Sequence, residues 1–154
     1  MITSGLMSSS SNEWETPQGF FDALDAEFGF TLDAAATAGN TKCKRYYAKD
    51  DDALCQRWPG VVWCNPPYGR AIGKFVRKGW EEAQKGSTVV MLIPARTDTR
   101  YWHDYVMRAS EVRLVAGRLR FSRGSKRGAA PFPSAVVVFR CGDHRPVFTA
   151  ISSR

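Results

Sequence analysis

No run of about 18 consecutive apolar residues, the length a membrane-spanning helix needs, occurs in this 154-residue chain. The opening Met1-Ile2-Thr3-Ser4-Gly5-Leu6-Met7 has neither a basic start nor a proper apolar core, so a secretory leader is not expected either. Metal-ligating residues are sparse. The four cysteines, Cys43, Cys55, Cys64 and Cys141, form no Cys-x-x-Cys pair, and only His103 and His144 could join them as ligands. The expectation is therefore no metal, no membrane and free thiols in a reducing cytoplasm. There is no internal repeat and no sign of a second domain, and a chain of this length buries enough surface to fold as one unit without staples.

Charge is present but uneven. Up to Gly60 nine acids face five bases, net −4, whereas the remainder has six acids against seventeen bases, net +11. A cationic surface confined to the later part of the chain favours a phosphate backbone as partner, and nucleic acid is the class of partner expected.

The low-complexity lead Ser8-Ser9-Ser10-Ser11 can bury nothing, so residues 1–11 are expected to be a flexible segment and 12–154 the folded domain. Thr16-Pro17 reads as an N-cap followed by proline at the first helical position. It opens a helix with Phe20, Phe21, Leu24 and Phe28 on one face and Gly29 as its stop. Phe30-Thr31-Leu32 then forms a short strand delivering Asp33, and Arg45-Tyr46-Tyr47-Ala48 a second one ending in Asp50-Asp51-Asp52. Val61-Val62-Trp63-Cys64 is a further strand. Ile72, Phe75, Val76, Trp80 and Ala83 recur at helical spacing before Gly86 and the buried strand Val89 to Ile93. A helix carrying Tyr101, Trp102, Tyr105 and Val106 leads to a strand at Glu111 to Val115, and Ala135 to Phe139 is read as the last strand. Strands alternating with helices imply an α/β fold with a largely parallel twisted sheet covered on both faces.

Asn65-Pro66-Pro67-Tyr68 stands at the lip of the Val61 strand and combines an amide, two rigid rings and an aromatic. Each proline lacks an N–H and holds φ near about −65°, so the chain must leave the sheet there as a stiff loop with free carbonyls. The Asn65 side chain offers one acceptor, the Asn65 or Pro66 backbone another, and Tyr68 a flat apolar face. Such a loop suits a planar ring with an exocyclic amino group, and adenine and cytosine both qualify. The basic run Arg118, Arg120, Arg123, Lys126 and Arg127, interleaved with serine and glycine, reads as a loop with few apolar anchors able to contact phosphates. Arg96 and Arg100 flank a second loop on the same sheet edge as Asn65. Trp102 and Tyr105 are expected in the core.

A strand followed by Asn-Pro-Pro-Tyr resembles the catalytic motif of amino-group methyltransferases that use S-adenosylmethionine. Together with Trp14-Glu15-Thr16-Pro17, Leu32-Asp33-Ala34-Ala35-Ala36, Pro94-Ala95-Arg96 and Ala130-Pro131-Phe132-Pro133-Ser134, it makes the chain similar to the small phage and prophage DNA N6-adenine methyltransferases, from about Asn12 to Arg140. The resemblance implies a single-domain, Rossmann-like S-adenosylmethionine methyltransferase, acting in the cytoplasm of a bacterial host and protecting phage DNA from restriction. It implies Asn65 and Pro66 as acceptors for the target amine, Pro67 as support and Tyr68 as stacking plate. Asp33, Ala34 and Ala35 would hold the methionine part of the cofactor, one of Asp50, Asp51 and Asp52 the ribose, and Thr16 and Pro17 would line the pocket, with double-stranded DNA as the partner. The chain departs from the family's glycine-bearing cofactor loop, reading Ala34-Ala35-Ala36-Thr37-Ala38-Gly39 instead. Similar loops serve enzymes acting on RNA bases or protein glutamine, and a catalytically silent DNA-binding protein could retain the same fold.

Overall fold

The computed structural model describes residues 14–123 and 126–154, with only the backbone described at Arg123, Lys126 and Arg127. Segment 1–11 thus lies outside the described residues. The apolar run Val61–Cys64 (β2) sits between β1 (Leu32–Asp33) and β3 (Thr88–Pro94), and all three run parallel. Beyond β3 the sheet continues through β7 (Ser134–Phe139), which is antiparallel to β3 and to β4 (Glu111–Ala116). An edge strand, β8 (Val147–Ser152), lies parallel to β4. The six-stranded order β1-β2-β3-β7-β4-β8 therefore has every strand but β7 pointing the same way. The α/β expectation holds, with a mostly parallel sheet.

Because side chains alternate across a pleated sheet, the helices can be assigned to faces. Helix α1 (Gln18–Phe28) sets Phe21 edge-on to Trp63 at 5.4 Å and pairs Glu27 with Arg113 of β4. It therefore covers the face carrying Trp63 and Arg113. Helix α2 (Ile72–Gln84) lies on the opposite face. A Cβ added to Gly79 would stand 2.8 Å from Met91 Sδ and 3.3 Å from Val89 Cγ1, so glycine is what lets α2 approach the sheet so closely. The short α3 (Arg100–Asp104) packs beside α2, with Trp80 and Tyr105 in ring contact. Trp102 is buried, as expected, and Tyr105 packs against the core from a half-buried position.

One buried ion cluster ties the amino end of β2 to α2. Glu82 is fully buried, accepts the Trp58 N–H at 2.6 Å and the Arg57 Nε–H at 3.1 Å, and meets Lys85 at 2.9 Å and Lys78 at 3.4 Å. Burial pushes its carboxyl up, but these hydrogen bonds and the Lys78 charge outweigh burial and hold it down at about 2.

Several local expectations are corrected. Pro17, not Thr16, occupies the N-cap of α1, and no side chain caps it. Arg45 to Ala48 makes only a bridge from Tyr46 to Asp33, because the chain turns through a 3₁₀ segment at Lys49–Asp51 before a ladder can form. The basic run is not a loop with few anchors. It forms a separate two-stranded hairpin of β5 (Arg120–Arg123) and β6 (Lys126–Ala129), held by the buried Leu119, Phe121 and Ala130. Nor is β7 the last strand, since β8 follows it.

Candidate active site

Parallel strands place their carboxyl ends on one edge of the sheet, where α/β proteins bind ligands. Here β1 delivers Asp33 beside Trp63, β2 runs on into Asn65, and β3 runs on into Arg96. The end of β4 leads on the same edge to Arg118 and Arg120. The sheet thus gathers the predicted residues from four separate segments.

A cavity of about 460 Å³ opens at this edge, a volume typical of small-molecule sites. Its wall includes Thr16, Asp33, Ala34, Ala35, Asn65, Pro66 and Pro67. Tyr47, Ala53, Leu54 and Phe75 give it an apolar side. Of the three consecutive acids only Asp52 borders the cavity; Asp50 and Asp51 are not among the lining residues, and the Asp51 carboxylate instead accepts the Ala48 N–H at 2.7 Å. Asp52, exposed at the cavity's rim, is the one non-glycine residue among those described with a left-handed backbone, φ 51°. Pro17 is not part of the wall. Lys42, Tyr47 and Phe75 were not foreseen as site residues; only the aromatic character of the last two offered a signal.

Asp33 is 2% exposed. Its carboxylate accepts the Ala35 N–H at 3.3 Å and the Lys42 N–H at 3.0 Å. Burial nevertheless dominates and raises its pKa to about 6, against the pull of those two N–H donors. The Ala34 to Ala36 stretch makes no helix. It hangs from β2 through Ala34 N–H to the Trp63 carbonyl at 2.9 Å and from the bridge segment through Ala36 N–H to the Tyr47 carbonyl at 3.0 Å, and closes in a Thr37–Asn40 turn.

At Asn65 the amide nitrogen donates to the Trp14 carbonyl and, at 2.9 Å, to Thr16 Oγ1. The Trp14 carbonyl, which can only accept, identifies it as the nitrogen. The carbonyl oxygen Oδ1 is buried and has no hydrogen-bond partner among the described residues. Buried acceptors are rarely left unpaired, so this one needs an explanation.

The loop Asn65 to Tyr68 is also a partition. Asn65, Pro66 and Pro67 face the first cavity, whereas Tyr68 lines a second, of about 450 Å³, with Arg96, Thr99, Tyr101 and Phe132. Tyr68 is 7% exposed, donates its hydroxyl to the Leu92 carbonyl at 3.1 Å, and meets Phe132 edge-on at 5.4 Å. Burial keeps that hydroxyl protonated by pushing its pKa well up. Arg96 lies over Phe132 at 6.0 Å from the ring centre. Arg100 is exposed beside Asp104, Arg120 is exposed, and Arg118 reaches the Ala130 carbonyl at 3.1 Å. The side chains of Arg123, Lys126 and Arg127 lie outside the described residues. Among those that are described, no three metal-ligating side chains cluster and no helix is long and apolar enough to cross a membrane.

A mostly parallel sheet edge bearing two adjoining cavities, a buried carboxylate and an amide with a spare acceptor makes this an α/β protein with a candidate ligand site at its strand ends. The family model for DNA N-6-adenine-methyltransferase (Dam) matches residues 3–153, and the chain belongs to that family. A DNA N-6-adenine-methyltransferase of Escherichia phage T1 is 34% identical over 103 residues, covering 64% of this chain and 42% of the phage protein. One of Haemophilus phage HP1 is 30% identical over 115 residues, covering 73% of this chain and 66% of its own length. The chain thus spans less than two thirds of either relative.

Proposed function

We propose that this protein is a Rossmann-like methyltransferase that moves a methyl group from S-adenosylmethionine to N6 of adenine in double-stranded DNA. The observation that carries the reading is the unpaired, buried Asn65 Oδ1 on a loop dividing two cavities, one suited to a methyl donor and one to a base. When bound, S-adenosylmethionine supplies an electrophilic methyl group. The residues of the first cavity fit it: the Asp33 carboxylate offers a counter-charge for an ammonium, Ala34 and Ala35 are small enough to admit a ligand close to the backbone, and Tyr47, Leu54 and Phe75 present apolar surface to a purine. Asp52 is the acid best placed for ribose hydroxyls, ahead of Asp50 and Asp51.

The chemical difficulty is that the lone pair of an exocyclic amine is delocalised into its ring. Asn65 Oδ1 and the Pro66 carbonyl answer it by accepting the two N–H hydrogens, which holds the amine and turns its lone pair out of the ring plane. Pro66 and Pro67 keep the acceptors rigid. Tyr68 and Phe132 wall the adjoining cavity, where base contact would offset the cost of extruding adenine from a duplex. Arg96, Arg100, Arg118 and Arg120, together with Arg123, Lys126 and Arg127 of the hairpin, would contact phosphates. The relatives' names, both DNA N-6-adenine-methyltransferases of phages, support the acceptor; shielding of phage DNA from restriction inside a bacterial host is the role this reading assigns to the reaction.

Incubation with isotope-labelled S-adenosylmethionine and DNA, RNA and protein in parallel tests this. Label in DNA alone is expected. Label confined to RNA or protein would replace the acceptor, and DNA binding without any transfer would make the protein a silent binder.

A further inference from the structure

The segment Trp14-Glu15-Thr16 crosses three parts of the site at once. Glu15 pairs with Ser122 of β5 through both backbone hydrogen bonds, at 3.0 and 3.2 Å. The Trp14 ring packs edge-on to Phe121 and Phe132 at 5.7 and 5.6 Å. The same short stretch receives both hydrogens of the Asn65 amide, on the Trp14 carbonyl and on Thr16 Oγ1. Thr16 is 4% exposed, so solvent has little access to that bond.

A planar amide held by both N–H groups has no rotational freedom left, and its oxygen points in one direction. A flipped amide would set Oδ1 against the Trp14 carbonyl, two acceptors facing each other. We infer that Thr16 is a positioning residue: its side-chain oxygen locks the Asn65 amide so that Oδ1 is presented to the target amine, and it acts through Asn65 and not by holding the cofactor. The role accounts for two otherwise separate observations. The hydroxyl of Thr16 is withdrawn from the helix cap that its position before Pro17 favours, and the helix is left without a side-chain cap. The inference rests on the proposed reading of Asn65 as the amine acceptor.

Thr16→Val keeps the branched shape and removes the oxygen, while Thr16→Ser keeps the oxygen and removes a methyl group. Loss of one hydrogen bond to a reacting group predicts a fall in kcat of roughly three- to tenfold in Thr16→Val, with cofactor affinity and KM unchanged and activity close to the parent's in Thr16→Ser. Nitrogen-15 NMR of the Asn65 side-chain amide gives a readout free of turnover. Its two protons are expected to exchange slowly with solvent in the parent and in Thr16→Ser, and to shift and exchange faster in Thr16→Val. Unmoved amide resonances, an unchanged kcat, a Thr16→Ser variant as impaired as Thr16→Val, or a loss confined to cofactor affinity would each overturn the inference. If the parent protein transfers no methyl group to any acceptor, the proposed reaction fails, and Thr16 as the amide's anchor is then decided by the resonances alone.

Discussion

Asp33 should make cofactor binding depend on pH in a way few surface carboxylates could. It is buried at the wall of the first cavity, and burial lifts its pKa from 3.8 to about 6. The shift of about two units means that ionising it in the folded protein costs about 3 kcal/mol more than in the unfolded chain. The folded-state pKa lies above the unfolded one, so for this acid the cost is present at neutral pH. It is relieved as pH falls from about 6 towards 4. An ammonium ligand needs the charged form. Below pH 6 each unit of acid should therefore weaken binding up to tenfold, and affinity at pH 5 should be roughly a tenth of that at pH 8. Trp14 and Trp63 both line the cavity, so quenching of tryptophan fluorescence during titration with S-adenosylmethionine reads the affinity directly. Asp33→Asn should bind weakly and show a flat profile over the same range. A parent protein whose affinity does not change from pH 8 to pH 5, or an Asp33→Asn variant that binds as tightly as the parent, would refute the reasoning.

Tyr68→Ala should lower both productive base binding and stability, because the side chain it removes is packed against Phe121 and Phe132; thermal unfolding should show a loss of about 3 kcal/mol or more. Tyr68→Phe loses only the bond to the Leu92 carbonyl and should cost about 1 kcal/mol. Glu82→Gln leaves Arg57, Lys78 and Lys85 without their shared carboxylate, but the first and last are more than half exposed, so the cost in urea denaturation should be about 1–2 kcal/mol. Since Glu82 is held at about 2, its contribution is complete above the ordinary carboxylate range and fades only as pH falls towards 2. Replacing Arg96, Arg100 and Arg120 together with alanine should flatten the salt dependence of DNA binding by up to about three phosphate contacts, read from affinity measured over a range of salt concentrations. An unchanged slope would remove these side chains from the interface.

What the sequence made legible was what short-range chemistry determines. Two prolines after an apolar run can only leave a sheet, and Asp33 after Leu32 lies at a strand end, so the shared sheet edge follows from the parallel register. The hidden features depend on partners far along the chain. Thr16 before Pro17 has every local reason to cap a helix, yet Asn65, 49 residues on, takes its hydroxyl. Asp50, Asp51 and Asp52 are equivalent as text, and only the left-handed turn at Asp52 distinguishes them. Strand β8 lies at the sheet edge, where most of its side chains are exposed, so its composition carries no buried pattern to read. The basic run looked unanchored because its anchors are single residues, Leu119 and Phe121, and the ring partners of Phe121, namely Trp14, Tyr68 and Phe132, come from other segments of the chain.

The most direct measurement is mass spectrometry of nucleosides from unmethylated DNA treated with S-adenosylmethionine and either the parent protein or Asn65→Ala. N6-methyladenine is expected with the parent and not with Asn65→Ala, while both proteins bind the cofactor equally. Equal methylation by the two proteins would contradict the account at its centre, since the amide would then have no part in holding the target amine.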